Sequence, residues 1–405
     1  MKLKVIDDIC GKGKTTYAIN EMKQGIAEGK QYIYVTPFIK ETERIQEEIP
    51  EMELPNKSDD STKRGNLIRL LTRGANIATT HQLFKSLDVD IIELLQANDY
   101  TLIIDEVLDV IEQIPITKHD LDNICNNYIT IEADNKVTWN DENYRGKYDE
   151  YKRYADNGNL YVFNDQKSNQ TAGLFWQFPH DIFQHFNEVY IMTYLFDCQV
   201  MAMYFKSCGL TWQRYSLDNH QLAVYKYNKI DKSLFNILQG KKYNGAGERR
   251  TALSKAWLLR HENGESLSTN AEIIKNKAYN IFRNGCQEWN TDKVKANDCI
   301  WTTYKAAFSR TKVYINGAKS SFLELNSRAT NKYQHRHYIF YLCNLFFNPL
   351  MKQYFQQQQI EVDEDSWVLS MLVQFVCRSA MRKGEKVYLY IPSKRMREMF
   401  MDYLE

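Results

Sequence analysis

The chain has 405 residues, 43% of them hydrophobic and 25% charged, which is the balance of a globular protein long enough for two ordinary domains. A net charge of +1 says nothing about partners, because a nucleic-acid binder needs a localised basic groove and not a basic total. Eight scattered cysteines, with no C-x-x-C and no regular His/Cys spacing, suggest neither a zinc site nor a disulfide framework and fit a reducing cytoplasm; no apolar run reaches membrane-spanning length, and the amino terminus enters a strand at once, which argues against a signal peptide or anchor.

In chain order, Lys4-Val5-Ile6 is a β-rich run ending in Asp7-Asp8, and from Thr15 a helical period runs through Ala18, Ile19, Met22 and Ile26 to Gly29. Gly11-Lys12-Gly13-Lys14-Thr15-Thr16 therefore fills a strand-to-helix turn. There, glycine lets backbone N–H groups converge on phosphate oxygens at the positive end of the helix, Lys14 reaches the β- and γ-phosphates, and Thr15 meets a metal. The run departs from the full phosphate-loop signature, since Asp8 stands at the first glycine position.

Further β-like runs at Tyr32–Thr36, Asn76–Thr79, Tyr100–Ile104 and Val189–Met192 alternate with helical stretches, the order expected of a parallel sheet. Tyr100–Ile104 ends in Asp105-Glu106. With Thr15, Asp105 suits magnesium, and Glu106 suits polarising a water; the competing role for both carboxylates is to cap a following helix. Taken with the glycine loop, the pair reads as a nucleoside-triphosphate hydrolase.

The Tyr-rich polar stretch from Thr117 to Gly173 has weak periodicity and reads as an insertion of hairpins or loops, spanning about 115–180. A second region opens with the alternating run Gln221–Tyr227 and closes with the strand-like Lys386–Ile391, which places domains at 1–203 and 204–405. A helix starting at an Asp365-Ser366 cap would put Leu369, Leu372, Val373, Val376 and Ala380 on one face and Gln374, Arg378 and Arg382 on another. Asn326–Asn331, followed by Tyr333, His335, Arg336 and His337, is a basic turn suited to a phosphate backbone or a nucleotide.

These segments resemble the superfamily 2 helicases, in particular the small DEAD/DEAH-like enzymes of bacteriophages. The phosphate loop matches motif I, Tyr34–Phe38 is similar to motif Ia, and Ile77–His81 to the next nucleic-acid-contact motif. Asp105–Leu108 corresponds to motif II, Ile191–Tyr194 falls where motif III belongs, and Gln374-x-x-x-Arg378-x-x-x-Arg382 is similar to motif VI. The resemblance implies an α/β fold of two RecA-like P-loop domains with central parallel sheets, ATP and Mg²⁺ as cofactors, and single-stranded or forked DNA as partner, with RNA not excluded. It implies a helicase or translocase of phage replication, recombination or repair in the host cytoplasm, working beside replication or recombination proteins. The residues it points to are Lys14, Glu106, Gln374, Arg378 and Arg382 for catalysis; Gly11, Lys12, Gly13, Lys14, Thr15 and Thr16 for nucleotide; and Thr15 and Asp105 for metal. Thr36, Pro37, Thr79, Thr80, His81, Arg328 and Asn331 are its nucleic-acid contacts, and Thr193 couples the sites. The second arginine lies one residue further along than the family spacing, so Arg378 and Arg382 both stand as the arginine finger. A non-unwinding translocase or packaging-type ATPase, or a nucleotide-dependent assembly protein, is the alternative.

Overall fold

Continuous apolar runs flanked by helical stretches become strands buried on both faces, because crossover helices cover the two sides of a parallel sheet. The computed structural model describes residues 2–56, 62–87, 91–165, 170–260, 269–309, 313–325 and 331–405. One compact unit comprises the residues up to Asp8, Lys12–Lys226 and Asn348–Val362; the other comprises Ile9–Gly11, Tyr227–Phe347 and Asp363–Glu405.

In the first unit, β1 (Lys2–Asp7), β2 (Gln31–Thr36), β4 (Asn76–Thr80) and β5 (Tyr100–Asp105) take the expected places, and a two-residue β3 (Met52–Glu53) that the sequence reading did not include joins them. Helix Lys14–Ala27 buries Ala18, Ile19 and Met22 against Tyr32, Tyr34 and Ile103 of the sheet. Beyond β5 the chain forms β6 (Ile111–Ile114), helix Lys118–Asn127, β7 (Ile129–Ile131), β8 (Val137–Trp139), helix Asp149–Asp156, β9 (Leu160–Asp165) and β10 (Gln170–Gln177). This insertion is more ordered than its weak periodicity suggested. An antiparallel sheet β6-β10-β9 and the β7-β8 hairpin enclose a core of Leu121, Ile124, Trp139, Leu160 and Leu174, on which Tyr128, Tyr144, Tyr151 and Tyr154 pack. Its tyrosines are thereby mostly explained as structure.

The chain then returns through β11 (Glu188–Thr193), β12 (Gln213–Asp218) and β13 (Gln221–Val224) to complete an eight-stranded sheet of order β13-β12-β1-β11-β5-β2-β4-β3. Among the described residues only the β12–β13 hairpin pairs antiparallel within it.

The second unit carries β14 (Phe235–Ile237), β15 (Cys299–Thr302), β16 (Tyr338–Tyr341) and β17 (Val387–Tyr390), all parallel, in the order β14-β17-β16-β15. Trp301, Phe340 and Tyr390 from three of these strands pack with Ile274, Ala278 and Ile281 of helix Thr269–Asn284. The fold class is therefore the expected one, α/β with parallel-rich central sheets. Contrary to the cysteine reading, Cys10 and Cys377 form a disulfide, their Cα atoms 6.1 Å apart. A bridge spanning 367 residues leaves no local spacing to read.

His337, placed by sequence in a basic turn, sits between two acids instead: its Nδ1 is 2.7 Å from Asp298 Oδ1 and its Nε2 is 3.0 Å from Glu385 Oε2. Burial pushes the imidazole pKa down, but the hydrogen bonds to both carboxylates outweigh it and hold the value above the usual 6.5. A raised folded-state value means stability that is fully present below the unfolded pKa and lost as pH rises through the folded one. His337→Ala should thus lower the melting temperature more at about pH 5.5 than at about pH 8.5. An equal loss at both would show that the ring contributes packing alone.

Candidate nucleotide-binding site

Strand register brings the two halves of the site together. Asp7 of β1 lies beside Thr193 of β11, and Met192 of β11 beside Asp105 of β5. The loop after β1 and the acidic pair after β5 therefore leave the same carboxyl edge two strands apart, roughly 10 Å. Brought to one edge, they form the crevice where open parallel sheets bind ligands.

The loop adopts what its glycines permit. Gly11 and Gly13 have φ of 83° and 80°, a left-handed conformation that other residues rarely take. Gly13 is the N-cap of helix Lys14–Ala27, and among the described residues no side chain makes a capping hydrogen bond there, so the helix start presents its N–H groups. Lys14 folds back so that Nζ donates to the Asp8 carbonyl at 2.5 Å. Burial lowers its pKa, while Glu106, Asp8, Asp105 and Asp7 oppose that shift. Thr15 is half-buried and Thr16 and Lys12 are exposed.

The acidic pair is held from below. Tyr34, fully buried on β2, donates its hydroxyl to Asp105 Oδ2 at 2.9 Å. Burial, reinforced by Glu106, pushes the Asp105 carboxyl up to about 7, against the Tyr34 hydrogen bond. Glu106 takes φ 65°, and its N–H donates to the Met192 carbonyl at 3.0 Å. A non-glycine residue in that region carries strain of about 1–3 kcal/mol, held in place by the surrounding strands. The next element is β6, so neither carboxylate caps a helix.

Two buried acids that the sequence reading did not use fasten the neighbouring loops. Asp7 accepts from the Leu195 and Phe196 N–H groups at 2.7 and 3.2 Å, and Asp8 Oδ2 from Leu217 N–H at 3.0 Å. Asp8 at the first glycine position is thus a tether to β12. Burial raises the Asp7 pKa despite those two backbone donors.

The other expected site residues are placed as follows. Thr36 and Thr79 are buried at strand ends, and among the described residues Thr79 Oγ1 and Thr193 Oγ1 have no hydrogen-bond partner. Pro37 is half-buried, and Thr80 Oγ1 accepts from Leu83 N–H at the start of the short helix His81–Phe84. His81 turns inward. It is 6% exposed, and its Nε2 donates to the Asp105 carbonyl at 2.9 Å, so the ring supports the acidic strand and is not offered to a phosphate backbone. Asn331 opens the 3₁₀ turn Asn331–Tyr333, and Arg328 lies outside the described residues.

The arginine stripe is corrected. The helix is Glu364–Val376, capped by Asp363, whose side chain accepts from Ser366 N–H at 2.9 Å, two residues before the expected cap. It ends before Arg378, because Ser379 is extended and starts a 3₁₀ turn at Ala380–Lys383. Gln374 is half-buried on the helix, Arg378 is buried with its guanidinium 5.6 Å from the Phe375 ring centre, and Arg382 is half-buried in the turn. Arg378 and Arg382 share no helical face.

Tyr34→Phe keeps the ring but removes the donor to Asp105, and should lower unfolding free energy by about 1–3 kcal/mol in urea titration. No measurable change would mean that the hydroxyl contributes nothing to holding this carboxylate.

Comparison with known proteins agrees with this architecture. The YonV C-terminal Rossmann-like domain matches residues 229–404, which hold the second sheet, and the YonV middle domain matches 111–176, the inserted sheet and its helices. Among solved structures, XPD in its apo form gives a TM-score of 0.50 at 11% identity, covering 100% of this chain and 95% of that one. Xpd4 of S. tokodaii gives 0.50 at 12% identity, covering 99% and 93%. At such identities the likeness concerns the fold alone. The SPbeta prophage-derived uncharacterized protein YonV of Bacillus subtilis (strain 168) is 33% identical over 426 residues, covering 100% of this chain and 99% of that protein, and the chain therefore belongs to the YonV family.

Proposed function

We propose that this protein is an ATP-driven nucleic-acid motor of the superfamily 2 helicase kind, acting on single-stranded or forked DNA in phage replication, recombination or repair. The observation that carries the reading is the convergence of the phosphate loop and Asp105-Glu106 on one sheet edge, with Lys14 in the field of both acids. The XPD-like fold favours a motor over an assembly ATPase, and the prophage origin of YonV supports the phage setting.

The residues present fit a magnesium nucleotide. Gly13 and the uncapped helix start offer N–H groups to phosphate, and the Thr15 hydroxyl and Asp105 carboxylate are the hard oxygen donors that magnesium takes. Bound there, the metal would neutralise charge on the phosphate oxygens. Lys14 would exchange the Asp8 carbonyl for the β- and γ-phosphates, and Glu106 would orient and polarise the attacking water. Of the two arginines, Arg382 is the more accessible and is the candidate finger, and Arg378 is buried against Phe375. Gln374 would assist it. With His81 turned inward, Thr36, Pro37, Thr79 and Thr80 remain the strand-end groups for sequence-independent phosphate contact, joined by Asn331 and Arg328. Thr193, beside Asp7, would couple nucleotide state to the sheet edge.

Lys14→Ala should weaken ATP binding about tenfold or more, whereas Glu106→Gln should keep Mg²⁺-ATP affinity and lose turnover by about a hundredfold. Equilibrium binding and steady-state ATPase, with and without single-stranded DNA, measure both. Full turnover in Glu106→Gln rejects the site; normal turnover that no nucleic acid stimulates rejects the motor and leaves an assembly ATPase.

A further inference from the structure

The turn between β12 and β13 consists of Asn219 and His220, and both are in the left-handed region, with φ of 49° and 60°. That is a two-residue type I′ hairpin, whose second position favours glycine. A histidine there is held against its own backbone preference. The tip also does not point idly into solvent. β12 runs parallel to β1 from Lys4↔Gln213 to Ile6↔Tyr215 and continues past it, and the Leu217 N–H is fixed by the buried Asp8 carboxylate at 3.0 Å. This carries His220 onto the phosphate loop. A Cβ placed on Gly13 would lie 2.4 Å from both Cε1 and Nδ1 of the imidazole, so the ring stands where a side chain of residue 13 would be. His220 is nevertheless an exposed residue, its ring directly against Gly13, the residue before Lys14.

We propose that His220 is a nucleotide-binding side chain, donating an imidazole N–H to the polyphosphate of a nucleoside triphosphate seated on the Gly11–Thr16 loop. The proposal rests on the reading of that loop as the nucleotide site. It explains three departures from the ordinary pattern together: an acid at the first glycine position, a hairpin added beyond the phosphate-loop strand, and a histidine where the turn favours glycine. Asp8 fixes the hairpin, and the hairpin adds a side-chain donor beside the N–H groups of the glycine loop.

The test uses the full chain with Mg²⁺ and measures dissociation constants for ATP and inorganic tripolyphosphate, alongside thermal unfolding, for the unmodified protein, His220→Gly, His220→Gln and Lys14→Ala. His220→Gly relieves the turn, so the melting temperature should hold or rise while affinity for ATP and tripolyphosphate falls by about tenfold, the effect of one hydrogen bond to a charged group. His220→Gln, which keeps a donor, should recover part of that loss. Unchanged affinity in His220→Gly overturns the proposal while leaving the loop's role intact, provided that Lys14→Ala still weakens binding. Loss for ATP but not for tripolyphosphate would make the ring a base or ribose contact, and tighter binding would make it a plug; either overturns a phosphate donor. If the unmodified protein binds neither ligand, the nucleotide reading fails and this proposal with it.

Discussion

Asp7 and Asp8, buried side by side at the end of β1, set the geometry on which the candidate site depends. Carboxylates out of water are costly unless backbone N–H groups satisfy them. Here those donors come from Leu195 and Phe196 after β11 and from Leu217 on β12, and Thr193 accepts the Asp8 N–H in turn. The exits of three adjacent strands are thereby locked to the point where the phosphate loop begins. Moving any one of them would strand a buried acid, so the loop's starting position is close to all-or-none.

A second set of buried groups does the same for the acidic pair. Tyr34 reaches the Asp105 carboxylate from β2, His81 reaches its carbonyl from the end of β4, and the Glu106 N–H is taken by β11. Three strands thus fix a turn that a non-glycine residue would not adopt alone. Rigid placement of this kind is what electrostatic catalysis requires, since preoriented groups need no reorganisation when charge develops. The raised Asp105 pKa is the electrostatic counterpart: burial, and then the neighbouring Glu106, disfavour its charge beside the partly buried Lys14.

Away from the site, the insertion shows how composition can mislead. Its weak periodicity pointed to hairpins or loops, yet alongside the β7–β8 hairpin Tyr128, Trp139, Tyr144 and Tyr148 pack ring on ring, with Tyr128 stacked on Trp139 at 5.7 Å. In the second unit, Ser379 decides the fate of the arginines. By accepting Met381 N–H and donating to the Val376 carbonyl, it ends one helix and starts a different turn within three residues.

The sequence by itself determined the central strands of the first sheet, the glycine loop and the acidic pair, because each is written in neighbouring residues. Val5-Ile6, Tyr32–Val35 and Leu102–Ile104 are unbroken apolar runs that only a two-sided sheet can bury, and Gly11, Gly13 and Lys14 carry their own backbone and charge requirements. Tertiary structure alone decided what depends on distant partners. A strand buried on both faces does not reveal that Tyr34 points to Asp105, and a histidine after a strand does not reveal that its ring turns inward. The hydrophobic alternation in Gln221–Val224 does not say which sheet receives it, and the local sequence around His337 contains neither Asp298 nor Glu385. Local periodicity reports which residues must leave water, whereas the hydrogen-bond partners of buried polar groups are set by register between strands far apart in the chain, and it is that register that put His220 on Gly13.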